Sequence, residues 1–230
     1  VLAVDDSISE GSLGYNSGQT GLFGNIIEIS NPDTLTSITT YLDNPNVGAS
    51  VRFVVFSTDA GGVPDSIMDS SRVFEVNTAG GQWLSLRIGC NGVALQPGKY
   101  FIGSDQMVGI RQEAGFFRGA AALPGRHFGL NTSIAGSTWY DFANTAGIEN
   151  FRIMIRANFG TTQNAVDPLA DTTRYCNGGS TYVSTNSMFD TYNWSDNTFL
   201  DSTLVNSQGS VAVTVTDEIG CSYQDSTQVV

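Results

Sequence analysis

Apolar side chains recur at every second position in several parts of this chain, and that spacing constrains its fold more than any other feature. Val51, Phe53 and Val55 show the pattern, and it returns at 84–88 and at 211–216. Successive side chains of a β-strand point to opposite faces of its sheet, so each stretch is predicted to be a strand with one buried face and one wet face. No long stretch has an apolar stripe at the helical spacing of 3.6 residues.

Turn-forming sequences separate the predicted strands. They include Asn31-Pro32-Asp33 and the glycine pairs at 61–62, 80–81 and 178–179. Proline fixes φ and glycine supplies positive φ, so such sequences reverse the chain. Short strands with frequent turns favour sandwiches, and we predict an all-β fold of two antiparallel β-sandwiches.

A polar stretch near residue 163 divides the chain into two predicted domains. Residues 1–162 suit one sandwich of jelly-roll size, 163–171 a linker, and 172–230 a smaller sandwich of Ig-like size. The charge is uneven as well: residues 1–163 carry 14 acids and 9 bases, whereas 164–230 carry 8 acids and a single arginine. The simplest interpretation of this excess is a solvated acidic surface.

The cysteine content predicts one disulfide and one leftover thiol. A bond between Cys176 and Cys221 would close a loop of about 45 residues across the small domain. It would stabilise the folded domain by roughly 4 kcal/mol, because it lowers the conformational entropy of the unfolded chain. A metal site is the alternative, but no Cys-x-x-Cys occurs and the only histidine lies in the other domain. Cys90 is then expected to be a structural thiol, and pairing of Cys90 with Cys221 would contradict the assignment. A disulfide implies an oxidising, extracytoplasmic compartment.

Composition excludes several classes of function. The net charge of −12 disfavours a nucleic-acid partner, because a phosphate backbone requires clustered lysine and arginine. No run of 18 apolar residues is present, so we predict no membrane span. The chain starts without a charged and then apolar leader, so we expect that any signal peptide has been removed or was never part of this sequence.

The small domain carries a recognisable set of motifs. Residues 192–197 read Tyr-Asn-Trp-Ser-Asp-Asn, residues 209–217 read Gly-Ser-Val-Ala-Val-Thr-Val-Thr-Asp, and Gly-Cys follows at 220–221. Together they resemble the small Ig-like or PKD-like repeats of Bacteroidetes surface proteins. The resemblance implies that Trp194 is the core tryptophan and that Cys176 and Cys221 are the two repeat cysteines.

Two positions depart from the repeat pattern. Asn197 stands where glycine is usual, and Val211 stands where tyrosine is usual, so one turn and one core position are altered.

The first domain resembles a jelly-roll module of the same kind of secreted protein. The segments that carry the resemblance are 35–42, 47–51, 81–86 and 95–103. Such proteins are commonly exported by the type IX route under a C-terminal signal domain. That signal is not evident in residues 1–230, so we expect the chain to be part of a longer secreted or cell-surface protein with further domains.

An aspartate followed by serine or threonine and then a small or aliphatic residue resembles the O-glycosylation site of Bacteroidetes. The alternative is a turn that enters a strand, which the same residues favour. The candidate sites are Ser7, Thr34, Ser66, Thr172, Ser202 and Ser226.

Catalytic motifs are missing from the sequence. No Gly-x-Ser-x-Gly elbow, phosphate-binding glycine loop, His-Glu-x-x-His or EF-hand loop occurs. A Ser-His-Asp triad would depend on His127, which has no recognisable nucleophile nearby in sequence. We therefore predict no catalytic residue, no metal site and no enzymatic activity.

A binding surface is the better prediction, and the irregular segment 105–150 is its candidate location. Aromatic rings stack on sugar rings, and arginine and aspartate bond hydroxyl groups, so this segment has the residue types of a carbohydrate site. The alternative is that its aromatic residues fill the sandwich core. The candidate ligand-binding residues are Phe116, Arg118, Arg126, His127, Trp139, Tyr140 and Asp141.

Calcium is the one cofactor that the acidic segments suggest. Asp5-Asp6 and the stretch from Asp65 to Asp69 offer carboxylates, but neither has the alternating spacing of an EF-hand loop. We therefore predict no cofactor, and Ca²⁺ at one of these acidic segments is the alternative.

The prediction is a secreted or cell-surface bacterial protein for adhesion or ligand binding, with glycans or other surface proteins as partners. Two alternatives remain open. One is a structural or self-assembling surface subunit, and the other is an accessory domain of a secreted hydrolase or peptidase.

Overall fold

The computed structural model describes residues 8–107, 110–118, 124–160, 168–174 and 179–230. The chain divides into two compact units, Val1–Thr162 and Gln163–Val230. The part of the chain that the structure describes consists of strands, turns and one short 3₁₀ helix, Phe142–Asn144, so the predicted all-β class is confirmed. Most of the predicted linker, residues 163–167, lies outside the described residues.

The described strands of the first unit are β1 Gly11–Leu13, β2 Gly21–Ile29, β3 Asp33–Leu42, β4 Ser50–Thr58, β5 Pro64–Ser70, β6 Phe74–Glu75, β7 Gln82–Arg87, β8 Val93–Leu95, β9 Gly98–Gln106, β10 Ala114–Arg118, β11 His127–Asn131, β12 Tyr140–Asp141, β13 Phe151–Ile153 and β14 Ile155–Phe159. They form two seven-stranded sheets with antiparallel pairing. In the first sheet the central strand β3 pairs with β7 and β8 along one edge and with β14 and β10 along the other, and β1 and β13 pair with β10. In the second sheet the order is β12-β11-β2-β9-β4-β5, and β6 also pairs with β4.

The core of the first unit lies between the two sheets. One cluster of buried side chains contains Ile38 and Leu84 of the first sheet and Phe53 and Ile102 of the second. Each strand contributes alternate residues, as the period of two predicts. Burial of such side chains is the main favourable term in folding, at about 25 cal/mol for each Å² of apolar surface.

The second sheet also has an apolar outer face, which an aromatic ring covers. Gly24 and Gly103 are direct cross-strand partners on β2 and β9. A Cβ atom on Gly103 would lie 2.3 Å from the ring of Phe101, and one on Gly24 would lie 2.1 Å from the carbonyl oxygen of Ile102. The two glycines therefore let the Phe101 ring lie directly against the backbone, where its exposure is 0%.

Substitution of Gly24 by alanine is expected to lower the free energy of unfolding by about 1–3 kcal/mol, because an overpacked site forces the backbone or the ring to shift. Urea denaturation would measure the change. Gly61→Ala is the matched control, since its Cβ would approach only the flexible carboxylate of Asp59, at 3.2 Å. Equal stability of the two variants would contradict this account of the glycine pair.

The described strands of the second unit are β15 Thr172–Thr173, β16 Thr181–Ser184, β17 Thr191–Trp194, β18 Ser202–Val205, β19 Gly209–Thr216 and β20 Ser222–Val229. They form a four-stranded sheet, β15-β20-β19-β17, and a two-stranded sheet, β16-β18. The pairing of β15 with β20 is parallel, which differs from the prediction of antiparallel pairing throughout. These two are the first and last of the described strands, and the strands between them supply the crossover that parallel neighbours require.

Trp194 is the centre of the second unit's core. It is 2% exposed and packs in a cluster with Val183, Val213 and Val215. Its indole Nε1 donates a hydrogen bond to the carbonyl of Leu200 at 2.8 Å, so the polar edge of the buried ring is satisfied.

The unusual asparagine of the repeat pattern has a structural explanation. Asn197 has a φ of 66°, in the left-handed region that glycine adopts most readily. Asparagine tolerates this region better than other residues with a side chain, so the turn after Trp194 keeps its shape.

The cysteines do not follow the predicted assignment. Cys90, in the first unit, and Cys221, in the second, are each disulfide-bonded. A Cys176–Cys221 bond with Cys90 left as a thiol is therefore wrong, and Cys176 lies outside the described residues. The spacing of cysteines along a chain does not determine which of them meet in the fold, and this explains the error.

Alkylation of the protein without reduction is expected to leave both Cys90 and Cys221 unmodified, because neither has a free thiolate to react. Peptide mass mapping would identify the labelled sites, and the reduced protein is the control in which both become labelled. Modification of Cys90 in the unreduced, folded protein would contradict the bonded state.

Five candidate O-glycosylation sites lie in strands, and Ser7 lies outside the described residues. The carboxylate of Asp33 accepts the amide of Thr34 at 2.8 Å, and the carboxylate of Asp225 accepts the amide of Ser226 at 2.6 Å. These local bonds match the turn-and-strand interpretation of the aspartate motif. Modification at these sites stays a prediction.

Candidate functional site

Phe116 and Arg118 lie on β10, and only the arginine is exposed. Phe116 is 5% exposed and stacks on Phe151, with ring centroids 3.9 Å apart. The guanidinium of Arg118 lies 5.4 Å from the centre of the Phe151 ring. The backbone amide of Arg118 donates a hydrogen bond to the carboxylate of Glu10. The structure thus gives Phe116 a packing partner inside the protein.

His127 is buried in the first unit. It is 4% exposed, and its Nδ1 lies 2.7 Å from Oδ1 of Asn25, whose Nδ2 donates to the carbonyl of Ile153 at 3.1 Å. Burial, together with the nearby positive charge of Arg152, lowers the pKa of His127 to about 4. The imidazole is therefore neutral at pH 7, and its partner Asn25 links the second sheet to Ile153 of the first sheet.

Stability is expected to decrease as the pH falls from 6.5 to 4. Across this range the unfolded chain binds a proton on His127 and the folded chain does not, so protonation favours unfolding by up to about 3 kcal/mol. Urea denaturation at several pH values would measure the decrease.

His127→Gln is the control for this pH dependence, because glutamine keeps polar atoms near Asn25 and does not titrate. Every other titrating group is common to the two proteins. The variant should lose less stability between pH 6.5 and 4 than the wild type. Parallel pH profiles would show that His127 does not contribute.

Tyr140 and Asp141 make structural hydrogen bonds. The Tyr140 hydroxyl lies 2.9 Å from that of Tyr15, and burial raises the pKa of both phenols. The Asp141 carboxylate accepts the amide of Gly125 at 2.6 Å and that of Ala143 at 3.0 Å. Asp141 thereby caps the 3₁₀ helix and fixes the chain just before β11.

Trp139 packs on the apolar outer face of the second sheet. Its ring lies 5.0 Å from the Phe101 ring and 5.7 Å from the Phe56 ring, both in edge-on geometry. Arg126 forms an ion pair with Glu28 at 3.8 Å, and both side chains are partly exposed to solvent.

The structure therefore does not gather the predicted ligand-binding residues on one surface. Phe116 and His127 are buried, Tyr140 packs against the core, Trp139 covers an outer face, and Arg118 is exposed. A ligand-binding role for these side chains stays a prediction.

A different exposed aromatic residue lies on the outer face of the first sheet. Leu84 and Leu86 of β7 point into the core, so Trp83, Ser85 and Arg87 face the solvent. Trp83 remains 40% exposed.

Two neighbours hold the Trp83 ring in place. Tyr41 is its direct cross-strand partner on β3, and the rings meet edge-on with centroids 5.4 Å apart. The guanidinium of Arg156, on β14, lies 3.9 Å from the centre of the Trp83 ring. An aromatic ring supported in this way loses little freedom when it binds a ligand.

A row of hydroxyl and amide groups runs across the same face. The amide of Asn158 donates to the hydroxyls of Ser37, at 3.0 Å, and of Thr39, at 2.8 Å. Thr39 in turn donates to the hydroxyl of Ser85 at 2.9 Å. We call this surface the Trp83 face, and its members are Tyr41, Trp83, Arg156, Ser37, Thr39, Ser85 and Asn158.

The chemistry of the Trp83 face suits a polar ligand with an apolar side. A tryptophan ring packs against the carbon-bound hydrogens of a ring-shaped ligand, and small hydroxyl and amide groups bond its polar substituents. The sequence contained a signal for this surface, since Trp83 alternates with Leu84 and Leu86 and shares a face with Ser85. A large aromatic residue on the wet side of a strand indicates a binding surface more directly than aromatics in irregular segments do.

No group of three or more His, Cys, Asp and Glu side chains is placed to hold a metal ion in the part of the chain that the structure describes. Asp65 and Asp69 lie on β5, and the Asp69 carboxylate accepts the amide of Ser70 at 2.7 Å. Asp5 and Asp6 lie outside the described residues. Among the described helices there is also none long and apolar enough to cross a membrane.

No protein-family model matches the chain, and no curated protein matches it. The solved structures that are similar in fold include two of a clostridial protein. One is that of the cysteine protease and lectin-like domains of Cwp84, a surface-layer-associated protein of Clostridium difficile, with 16% identity, a TM-score of 0.50, and coverage of 68% of this chain and 37% of that one. The other is the clostridial cysteine protease Cwp84 after propeptide cleavage, with 16% identity, a TM-score of 0.49, and coverage of 63% and 36%.

This chain thus spans just over a third of the length of the solved clostridial chains that it matches. At 16% identity the likeness concerns the fold alone.

Proposed function

We propose that the chain is a non-catalytic, extracellular ligand-binding module that binds carbohydrate on its Trp83 face. The observation that carries the proposal is the exposed, rigidly held Trp83 beside a row of hydroxyl and amide groups. Carbohydrate is the ligand class that combines ring surfaces lined by carbon-bound hydrogens with many hydroxyl groups.

Three further observations support this proposal. The bonded state of Cys90 and Cys221 fits an oxidising, extracytoplasmic compartment. The fold-similar clostridial structure includes lectin-like domains of a surface-layer-associated protein. The only histidine, His127, is buried beside Asn25, which favours a structural role over general-base catalysis.

A glycan array probed with the full chain tests the proposal. Wild-type protein should bind at least one glycan, and Trp83→Ala should weaken that binding at least about tenfold, since a lost aromatic contact of 1.4 kcal/mol is a tenfold change. Trp83→Phe should retain part of the affinity, because it keeps an aromatic ring. Addition of Ca²⁺ should make no difference.

Trp139→Ala is the comparison variant, because Trp139 belongs to the site predicted in segment 105–150. Loss of binding in Trp139→Ala but not in Trp83→Ala would move the site to that segment. An array without any bound glycan, with the protein shown to be folded by circular dichroism, would contradict carbohydrate binding.

A second candidate function is an accessory domain of a secreted peptidase or hydrolase. The observation that favours it is the similarity to part of a chain that also contains a cysteine protease domain. The test is the reading frame around this sequence. A continuous frame that encodes a catalytic domain would support the accessory role, and its absence from the complete frame would contradict it.

A further inference from the structure

The second unit displays four large apolar side chains to solvent. Tyr182 on β16 is 68% exposed, and its direct cross-strand partner Leu204 on β18 is 53% exposed. Phe199 and Leu200, just before β18, are 67% and 68% exposed. We call these four residues the apolar strip.

The apolar strip is held on a rigid base. The carbonyl of Leu200 accepts the indole hydrogen of the buried Trp194, and the backbone amide of Trp194 donates to Thr198 at 2.9 Å. The hydroxyl of Thr203 donates to the carboxylate of Asp196 at 2.5 Å. These bonds fix the turn between β17 and β18, so exposure of the strip is a property of the folded unit. Exposed apolar surface of this kind marks interaction sites.

The surroundings of the strip are acidic. Asp196 and Asp201 are exposed in the turn between β17 and β18, and Asp201 directly follows Leu200 in the sequence. The only base in residues 164–230 is Arg174, which follows β15 of the other sheet, against eight acids. A second copy of the unit would bring like charges together, whereas a basic partner would be attracted.

The backbone next to the strip offers unpaired strand edges. Among the described strands, β16 and β18 pair only with each other, so each has one open edge. An extended segment can add to such an edge as a further strand, with backbone hydrogen bonds for affinity and alternate side chains for specificity.

From these observations we infer that the β16-β18 sheet is a docking surface for an extended, basic protein segment with apolar side chains at alternate positions. The apolar side chains of that segment lie on the apolar strip, and its lysine or arginine side chains face the aspartates. This surface is independent of the Trp83 face and extends the proposed function to a protein partner.

The test uses the full chain and an eight-residue peptide of alternating leucine and lysine, labelled for fluorescence anisotropy. The peptide should bind, and binding should weaken as salt is raised because the charge attraction is screened. A peptide of alternating leucine and glutamate should bind at least tenfold more weakly. Amide hydrogen exchange of β16 or β18 should slow when the leucine-lysine peptide is bound.

The variant Leu200→Ser with Leu204→Ser should reduce the affinity for the leucine-lysine peptide at least tenfold. Both side chains are exposed, so the fold should tolerate the change. Ile134→Ser is the matched control, since Ile134 is an exposed apolar residue of the first unit, at 56%. Trp83→Ala should leave peptide binding unchanged, which separates this inference from the proposed carbohydrate site.

Two results would overturn the inference. One is equal binding of the leucine-lysine peptide to the wild type and to the strip variant, or no binding to either. The other is concentration-dependent dimerisation in analytical ultracentrifugation that the strip variant abolishes, since the occupant would then be a second copy of the chain.

Discussion

The architecture of the first unit depends on the burial of alternate side chains between two sheets. Leu84 and Leu86 contribute from one sheet, and Phe53 and Ile102 contribute from the other. Because one face of each strand is committed to this core, the opposite face is left to meet the solvent or a further covering layer. The functional possibilities of the unit are set by what lies on those outer faces.

The outer faces of the two sheets differ in how far they are covered by side chains. On the second sheet, Gly24 and Gly103 leave room for the Phe101 ring, and Trp139 packs over that ring. On the first sheet, Trp83 stays in contact with water, held by Tyr41 and Arg156. Both faces carry a tryptophan, and Trp83, which is 40% exposed, is more accessible to a ligand than the half-buried Trp139. This contrast underlies the choice of the Trp83 face as the candidate site.

The site residues predicted in segment 105–150 show that residue type alone does not distinguish a binding residue from a core residue. Aromatic and charged residues are common to binding sites and to cores, and the sequence does not say which role each one has. His127 and Phe116 are buried, and Asp141 caps a helix. The Trp83 face could have been predicted from the sequence. The alternation of Trp83 with Leu84 places the tryptophan on the solvent side of a strand.

The sequence by itself determined the all-β class, because a period of two is compatible only with strands that have one buried face. The left-handed turn at Asn197 and the buried Trp194 were likewise consistent with the motif around them. Only the tertiary structure decided the state of Cys90, the covering of Phe101 and the contacts with Tyr41 and Arg156 that hold Trp83. The physical reason is that these properties depend on contacts between residues far apart in the chain, and local pattern carries no information on which distant residues meet.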